Sequence, residues 1–309
     1  GAAGEGGAAG EGGAAGEGGE GGTVVDADII DTAIGAGEFT LLAAALDAAG
    51  LTDTLRGDGP FTVFAPNDAA ITASLEALGV TAEDFLARAD LQQILLYHVV
   101  AGAAVASTDL DAVQVVTTAA TISAENATQL SAIVTAGEDG VKINGGPMVT
   151  SADIPATNGV IHVIDSVILP ASIADLAVAY PDFDTLVAAA SAASLVETLS
   201  TAGTYTVFAP TDAAFVTALE ALELTAEALL ADVATLTGIL TYHALGSIVL
   251  STDLMAGDNT VTTLNSAELT VSVSDDGVTA GPANVIMTDI VGTNGVIHVI
   301  DAVLLPPAM

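Results

Sequence analysis

After residue 22 the chain is written twice, and that duplication constrains its fold more than any other feature. FTVFAPND at 61–68 returns as YTVFAPTD at 205–212, and LLYHVV at 95–100 returns as LTYHAL at 240–245. NGVIHVIDSVILP at 158–170 returns as NGVIHVIDAVLLP at 294–306. The copies lie 144, 145 and 136 residues apart, so motif order is kept and only loop lengths drift. Such periods belong to whole domains; solenoid units repeat every 20–50 residues or so. With a boundary near Pro170, the chain divides into a leader at 1–22 and two units at 24–170 and 171–306. A length of 309 residues accommodates two domains.

Each unit reads the same way locally. Thr62, Val63 and Phe64 form a β-prone run that Pro66, lacking an N–H, brings to a stop. Asn67 or Asp68 then offers an N-cap for an Ala-rich helix through Leu78. Thr81 with Asp84 resembles a capping box for the next helix, and Thr225 opens its equivalent. Beyond the Tyr-His pair the pattern turns to β-type runs at 113–118, 129–135 and 141–143, matched by 260–264, 269–273 and 278–280. Asp139-Gly140 and Asp276-Gly277 supply hairpin turns between the last two runs. The closing segment turns at Asn158-Gly159 and is expected to run as one apolar strand through Leu169. Helices gather in the first half of each unit and strands in the second, which predicts an α+β fold.

A β-run ending in TVFAP(N/T)D, a mid-domain Tyr-His pair and a closing NGVIHVID-x-V-(I/L)-L-P together resemble the fasciclin domain. All three occur in order, twice, and span nearly everything after residue 23. The resemblance implies two tandem fasciclin-like domains, each a compact β-sandwich or wedge flanked by α-helices. It further implies a secreted or surface-anchored protein engaged in cell or matrix adhesion. Bacterial members are often secreted or lipid-anchored, which would make the leader a stalk and place an anchor on a residue preceding Gly1. In animal members the Tyr-His region and an Asp-Ile pair before the final strand are linked to integrin contact. The matching residues here are Tyr97, His98, Asp153 and Ile154, then Tyr242, His243, Asp289 and Ile290.

Charge narrows the partners. Asp and Glu number 39 against three cations, Arg56, Arg88 and Lys142, for a net charge of −36. Such a surface repels phosphate backbones and anionic membranes, which argues against nucleic-acid binding. Carboxylates without cationic partners must face water, salt or divalent ions. A saline or calcium-rich exterior suits them, because salt screens charge beyond roughly 8 Å. No resident cofactor is expected, beyond weak Ca²⁺ binding by surface oxygens. Without cysteine there are no disulfides, thiolate metal sites or cysteine nucleophiles. No apolar run approaches the ~18 residues of a membrane span, and the start at Gly1 reads as a mature or trimmed product.

Four histidines, His98, His162, His243 and His298, all fall inside the repeated motifs. His162 lies between Ile161 and Val163, a setting for a core histidine bonded to backbone rather than a ligand or base. The Tyr-His and Asp-Ile positions are read first as determinants of the fold and second as adhesion residues. No nucleophile-elbow, H-E-x-x-H or EF-hand pattern is present, so neither catalytic nor metal residues are assigned.

The leader repeats GAAGEG three times and places Gly at every third residue from Gly1 to Gly22. That period matches a three-residue-per-turn helix whose axis admits only Gly, while the composition also suits a flexible linker. The leading functional reading is an extracellular or cell-surface adhesion or matrix protein that contacts surface proteins, polysaccharide or copies of itself. The alternative is a structural subunit of a self-assembling filament. A small-ligand binder or enzyme would require a pocket that the sequence does not reveal.

Overall fold

The computed structural model describes residues 26–123, 126–201 and 203–307. The leader at 1–22 lies outside the described residues. The first domain opens with three helices, α1 (Ile29–Ala36), α2 (Thr40–Ala48) and α3 (Thr52–Leu55). Strand β1 (Phe61–Pro66) follows, then α4 (Asp68–Leu78), α5 (Ala82–Leu86) and α6 (Leu91–Tyr97). The strands β2 (Val99–Ala101), β3 (Val113–Thr121), β4 (Gln129–Gly137), β5 (Gly140–Ile143), β6 (Val149–Ala156) and β7 (Gly159–Ile164) complete it.

The second domain repeats that order. Helices α7 (Ile173–Ala179), α8 (Asp184–Ala192) and α9 (Val196–Ser200) precede β8 (Tyr205–Pro210). Helices α10 (Asp212–Ala221), α11 (Ala226–Ala231) and α12 (Val233–Tyr242) lead to β9 (Ala244–Leu245), β10 (Gly257–Thr262) and β11 (Glu268–Ser274). The hairpin strand β12 (Gly277–Ala280) then gives way to β13 (Ala283–Gly292) and β14 (Gly295–Ile300). Both domains are α+β, with helices early and strands late.

Capping follows the sequence reading. The Asn67 side chain accepts from Ala70 N–H at the start of α4. Thr81 accepts from Asp84 N–H, and Thr225 from Ala228 N–H. Asp68 works across elements, since its carboxylate accepts from Leu41 N–H at 2.7 Å and so caps α2, whose own N-cap Phe39 has no side-chain acceptor. Asp212 does the same for α8 through Thr185 N–H.

In the second domain seven strands form one sheet in the order β10-β11-β12-β13-β14-β8-β9. The first domain has the same order broken into β3-β4-β5 and β6-β7-β1-β2, joined by the single bridge of Lys142 to Met148. The closing strand returns across the domain to lie parallel to the first, Phe61 opposite Gly159 and Tyr205 opposite Gly295. At that register a Cβ on Gly159 would stand 2.1 Å from Phe61 O, and one on Gly295 2.3 Å from Tyr205 O. Only glycine admits this approach.

The Asn before each glycine is more than a turn residue. Asn158, 8% exposed, accepts from Ile29 N–H at 3.0 Å and donates from its amide to Leu55 O and Gly57 O, both at 2.8 Å. Its own carbonyl accepts from Phe61 N–H. Asn294 repeats the set with Ile173 N–H, Leu199 O, Thr201 O and Tyr205 N–H.

The expected apolar strand does not reach Leu169. It ends at Ile164, because Val167 N–H turns to Ser74 Oγ and Ile168 N–H to His98 Nε2 instead of to a neighbouring strand.

Replacing Asn158 with Ala strands one buried N–H and two carbonyls, at about 1–3 kcal/mol for each unsatisfied group. Urea unfolding of Asn158→Ala is therefore expected to shift by about 3 kcal/mol or more, with Asn294→Ala producing the same loss in the second domain. A loss under about 1 kcal/mol for both would show that water replaces the amide.

Candidate functional site

The signature residues collect at two places in each domain. Tyr97 and His98 end α6. The His98 ring donates from Nδ1 to Ile94 O at 2.7 Å and accepts at Nε2 from Ile168 N–H at 2.9 Å. His243 makes the matching pair with Ile239 O and Leu304 N–H, both at 2.8 Å. Each ring fastens the chain beyond the closing strand to the end of a helix. Both are fully enclosed, and burial pushes their pKa down to about 4.

The second place is a bulge. Asp153 and Asp289 sit in the left-handed region (φ 59° and 62°), where registry slips between β6 and β7 and between β13 and β14. Asp is among the few residues that tolerate this conformation. Asp153 Oδ1 accepts from Ser107 N–H at 2.7 Å, and its Oδ2 accepts from the Ser107 hydroxyl. Those bonds hold the Asp153 carboxyl below the usual range. Asp153 N–H donates to His162 Nδ1, whose Nε2–H donates to Val105 O. Ser251, Asp289, His298 and Val249 repeat the arrangement. His298 lies 3.9 Å from the Asp289 carboxylate, yet burial outweighs that carboxylate and lowers the ring's pKa.

Ser, His and Asp therefore meet in both domains, but not in the order acyl transfer needs. The hydroxyl donates to the carboxylate, and both imidazole nitrogens are taken by backbone, so no imidazole faces the hydroxyl as its base. Among the described residues no group of three or more His, Asp or Glu side chains is placed to hold a metal ion. No helix among them is long and apolar enough to cross a membrane.

Of the ten candidate residues, Tyr97, His98, His162, Tyr242, His243, Ile290 and His298 are buried. Ile154 and Asp289 are half-buried, and only Asp153 is exposed.

Sequence reasoning missed the seam between the domains. Strand β4 of the first domain packs against α7 and β13 of the second, merging both into one apolar cluster that includes Ile133, Leu176 and Val291. The Ser131 hydroxyl accepts from Val291 N–H at 3.0 Å across it. Tyr97 backs this contact: its hydroxyl donates to Ser131 O at 2.7 Å and accepts from Asn144 Nδ2 at 2.9 Å. Burial pushes the Tyr97 pKa up to about 12. Ile290 is buried on the other side. No periodicity marks Ser131, because its partner lies 160 residues away.

The fasciclin-domain family model matches residues 37–170 and again 181–306. The chain belongs to the fasciclin family. Protein sll1483 of Synechocystis is 43% identical over 136 residues, which cover 44% of this chain and 74% of that one. Human periostin is 34% identical over 154 residues, 49% of this chain but 18% of periostin. The Mycobacterium bovis immunogenic protein MPB70 is 37% identical over 133 residues, 41% of this chain and 65% of its own. A solved FAS1 domain pair from the insect cell adhesion molecule fasciclin I is similar in fold, with a TM-score of 0.52 and 19% identity. It covers 89% of this chain and 97% of that one. Two tandem fasciclin domains thus account for the duplication.

Two measurements probe these sites. Above pH 6.5 the rings of His98 and His243 are neutral in folded and unfolded chains alike, and their contribution is complete. As pH falls from 6.5 towards 4, the unfolded chain takes up protons that the folded rings refuse. Stability is then lost at up to about 1.4 kcal/mol per pH unit for each ring. Denaturant unfolding from pH 7 to 4 should show this fall; a steady rise would mean that relief of carboxylate repulsion dominates. At the seam, Ser131→Ala leaves Val291 N–H unpaired and should cost about 1–3 kcal/mol by the same assay, whereas an unchanged midpoint would show that the seam adapts.

Proposed function

We propose that this fasciclin protein acts outside the cell or on its surface as an adhesion or matrix component. Its contacts are made by the outer domain faces rather than by the signature residues. The observation that carries the reading is the electrostatics of the exterior. All three cations are already paired in the first domain: Arg56 with Asp28 and Asp31, Arg88 with Asp90, and Lys142 with Asp139 at 3.9 Å. The second domain has no Lys or Arg at all. An almost wholly anionic surface attracts cationic partners directly, and anionic ones through bridging Ca²⁺. Membership of the fasciclin family supports the same reading, as does the cell adhesion molecule from which the similar domain pair comes.

The Gly period of the leader favours a second reading, self-assembly into filaments. The seam gives that route no help. Hairpin register places Glu268, Thr270 and Gly281 in the second domain where the first has Ser131, Ile133 and Asn144. Glu268 and Thr270 are exposed, so the apolar face that receives a following domain is not repeated. Assembly would then rest on the leader, and removing residues 1–22 would abolish any filaments seen by electron microscopy.

Surface binding tests the main reading. The chain is expected to bind immobilised chitosan, with retention falling as NaCl rises. Alginate should be bound only with Ca²⁺ and released by chelator. Binding to either that ignores both salt and chelator would overturn the electrostatic account.

A further inference from the structure

An open groove of about 320 Å³ lies between α1 and α2 of the first domain. Sites for small molecules begin at about that size, roughly 300 Å³. The floor is apolar, formed by Ile30, Leu42, Leu46 and the Phe39 ring, all buried. Ala43 and Ala44 line it with side chains too short to fill it. Ile34 stands at the rim and is 56% exposed, an apolar side chain left in water. One charged side chain, Asp47, completes the wall. It lies in the last turn of α2, where the negative end of the helix dipole disfavours an anion. That turn holds no basic residue, and all three cations of the chain are paired elsewhere, with Asp28, Asp31, Asp90 and Asp139. The residue 144 positions after Asp47 is Ser191, and the apolar space bordered by α7 and α8 has no Asp, Glu, Lys or Arg in its walls.

We propose that the α1–α2 groove binds a primary alkylammonium ion, with its head at Asp47 and its hydrocarbon chain along Ile34 and Leu42. Two needs of the protein are met by that one ligand. The apolar floor and the exposed Ile34 gain from being covered by hydrocarbon. The Asp47 carboxylate and the C-terminal end of α2 both gain from a cation, and no cation of the chain supplies it. A neutral alkyl chain would satisfy only the first need, and a bare inorganic cation only the second. A fatty-acid anion would be repelled by Asp47 and by the net charge of −36. An ammonium head carries three donors, and Thr52 adds a hydroxyl acceptor to the same wall. The groove is independent of the adhesion reading, which rests on the outer faces and needs no enclosed site.

The test uses the full chain with ¹³C-labelled Ala, Leu and Ile methyls, titrated with hexylammonium chloride in about 0.15 M NaCl to screen unspecific attraction. Saturable shifts are expected at Ile34, Leu42 and Ala44. At the same methyls 1-hexanol should bind about threefold more weakly, the scale of one exposed ion pair. Asp47→Asn should lower hexylammonium affinity by about the same factor and leave hexanol unchanged, so that the preference for the cation disappears. Glu227→Gln, which removes one charge from the second domain, should keep that preference. Ala44→Leu, at an exposed wall position, should crowd the groove and weaken both ligands. No saturable shift at these methyls, or unchanged binding of both ligands in Ala44→Leu, would overturn the site. A preference that survives Asp47→Asn, or that Glu227→Gln removes equally, would show that the general field and not Asp47 attracts the amine, and would overturn the assignment of the head.

Discussion

One amide side chain per domain, Asn158 and Asn294, joins backbone segments that no local interaction would bring together. Each holds the first N–H of the opening helix, two carbonyls at the end of the third helix and, through its own carbonyl, the first residue of the opening strand. The parallel pairing of first and last strands starts at the next residue, where only glycine fits. Without the amide, three helix-terminal polar groups would be buried unpaired. The histidines depend on that frame. His98 and His243 can each bind a backbone N–H beyond the closing strand only because the strand has been brought back beside the first.

The duplicated motifs are chemically the same but not in the same position in the molecule. Tyr97 is locked between Asn144 and Ser131 at the seam. Tyr242 keeps only a bond to Glu268 O at 3.2 Å. Ile154 is half-buried, whereas its counterpart Ile290 is buried in the apolar cluster that draws on both domains. Packing one copy against the other therefore gives equivalent residues unequal access to any partner. The helical layers differ as well, with Ala174 and Ala190 of the second domain standing where the first has Ile30 and Leu46.

Electrostatics separates the interior from the exterior. Inside, imidazoles, amides and hydroxyls are neutral and matched with backbone, as a low-dielectric core requires. Outside, carboxylates greatly outnumber their three cationic partners. On the proposed adhesion reading, contact with other molecules depends on ionic conditions more than on any one side chain.

The sequence by itself determined the duplication, the helix-then-strand order, the Thr and Asn caps and the anionic exterior. These are local or additive properties: a cap needs a partner three residues away, and charge needs only counting. It also located the ten signature residues, though not what they touch. Asn158 read as a turn, because its helix partner Ile29 is 129 residues distant. The closing strand read five residues too long, because apolarity alone cannot tell a ladder bond from one made to a histidine or serine. Tertiary structure alone decided the Ser-Asp-His order at the bulge and the seam through Ser131. Each is a meeting of residues remote in sequence, fixed by packing rather than by any pattern along the chain.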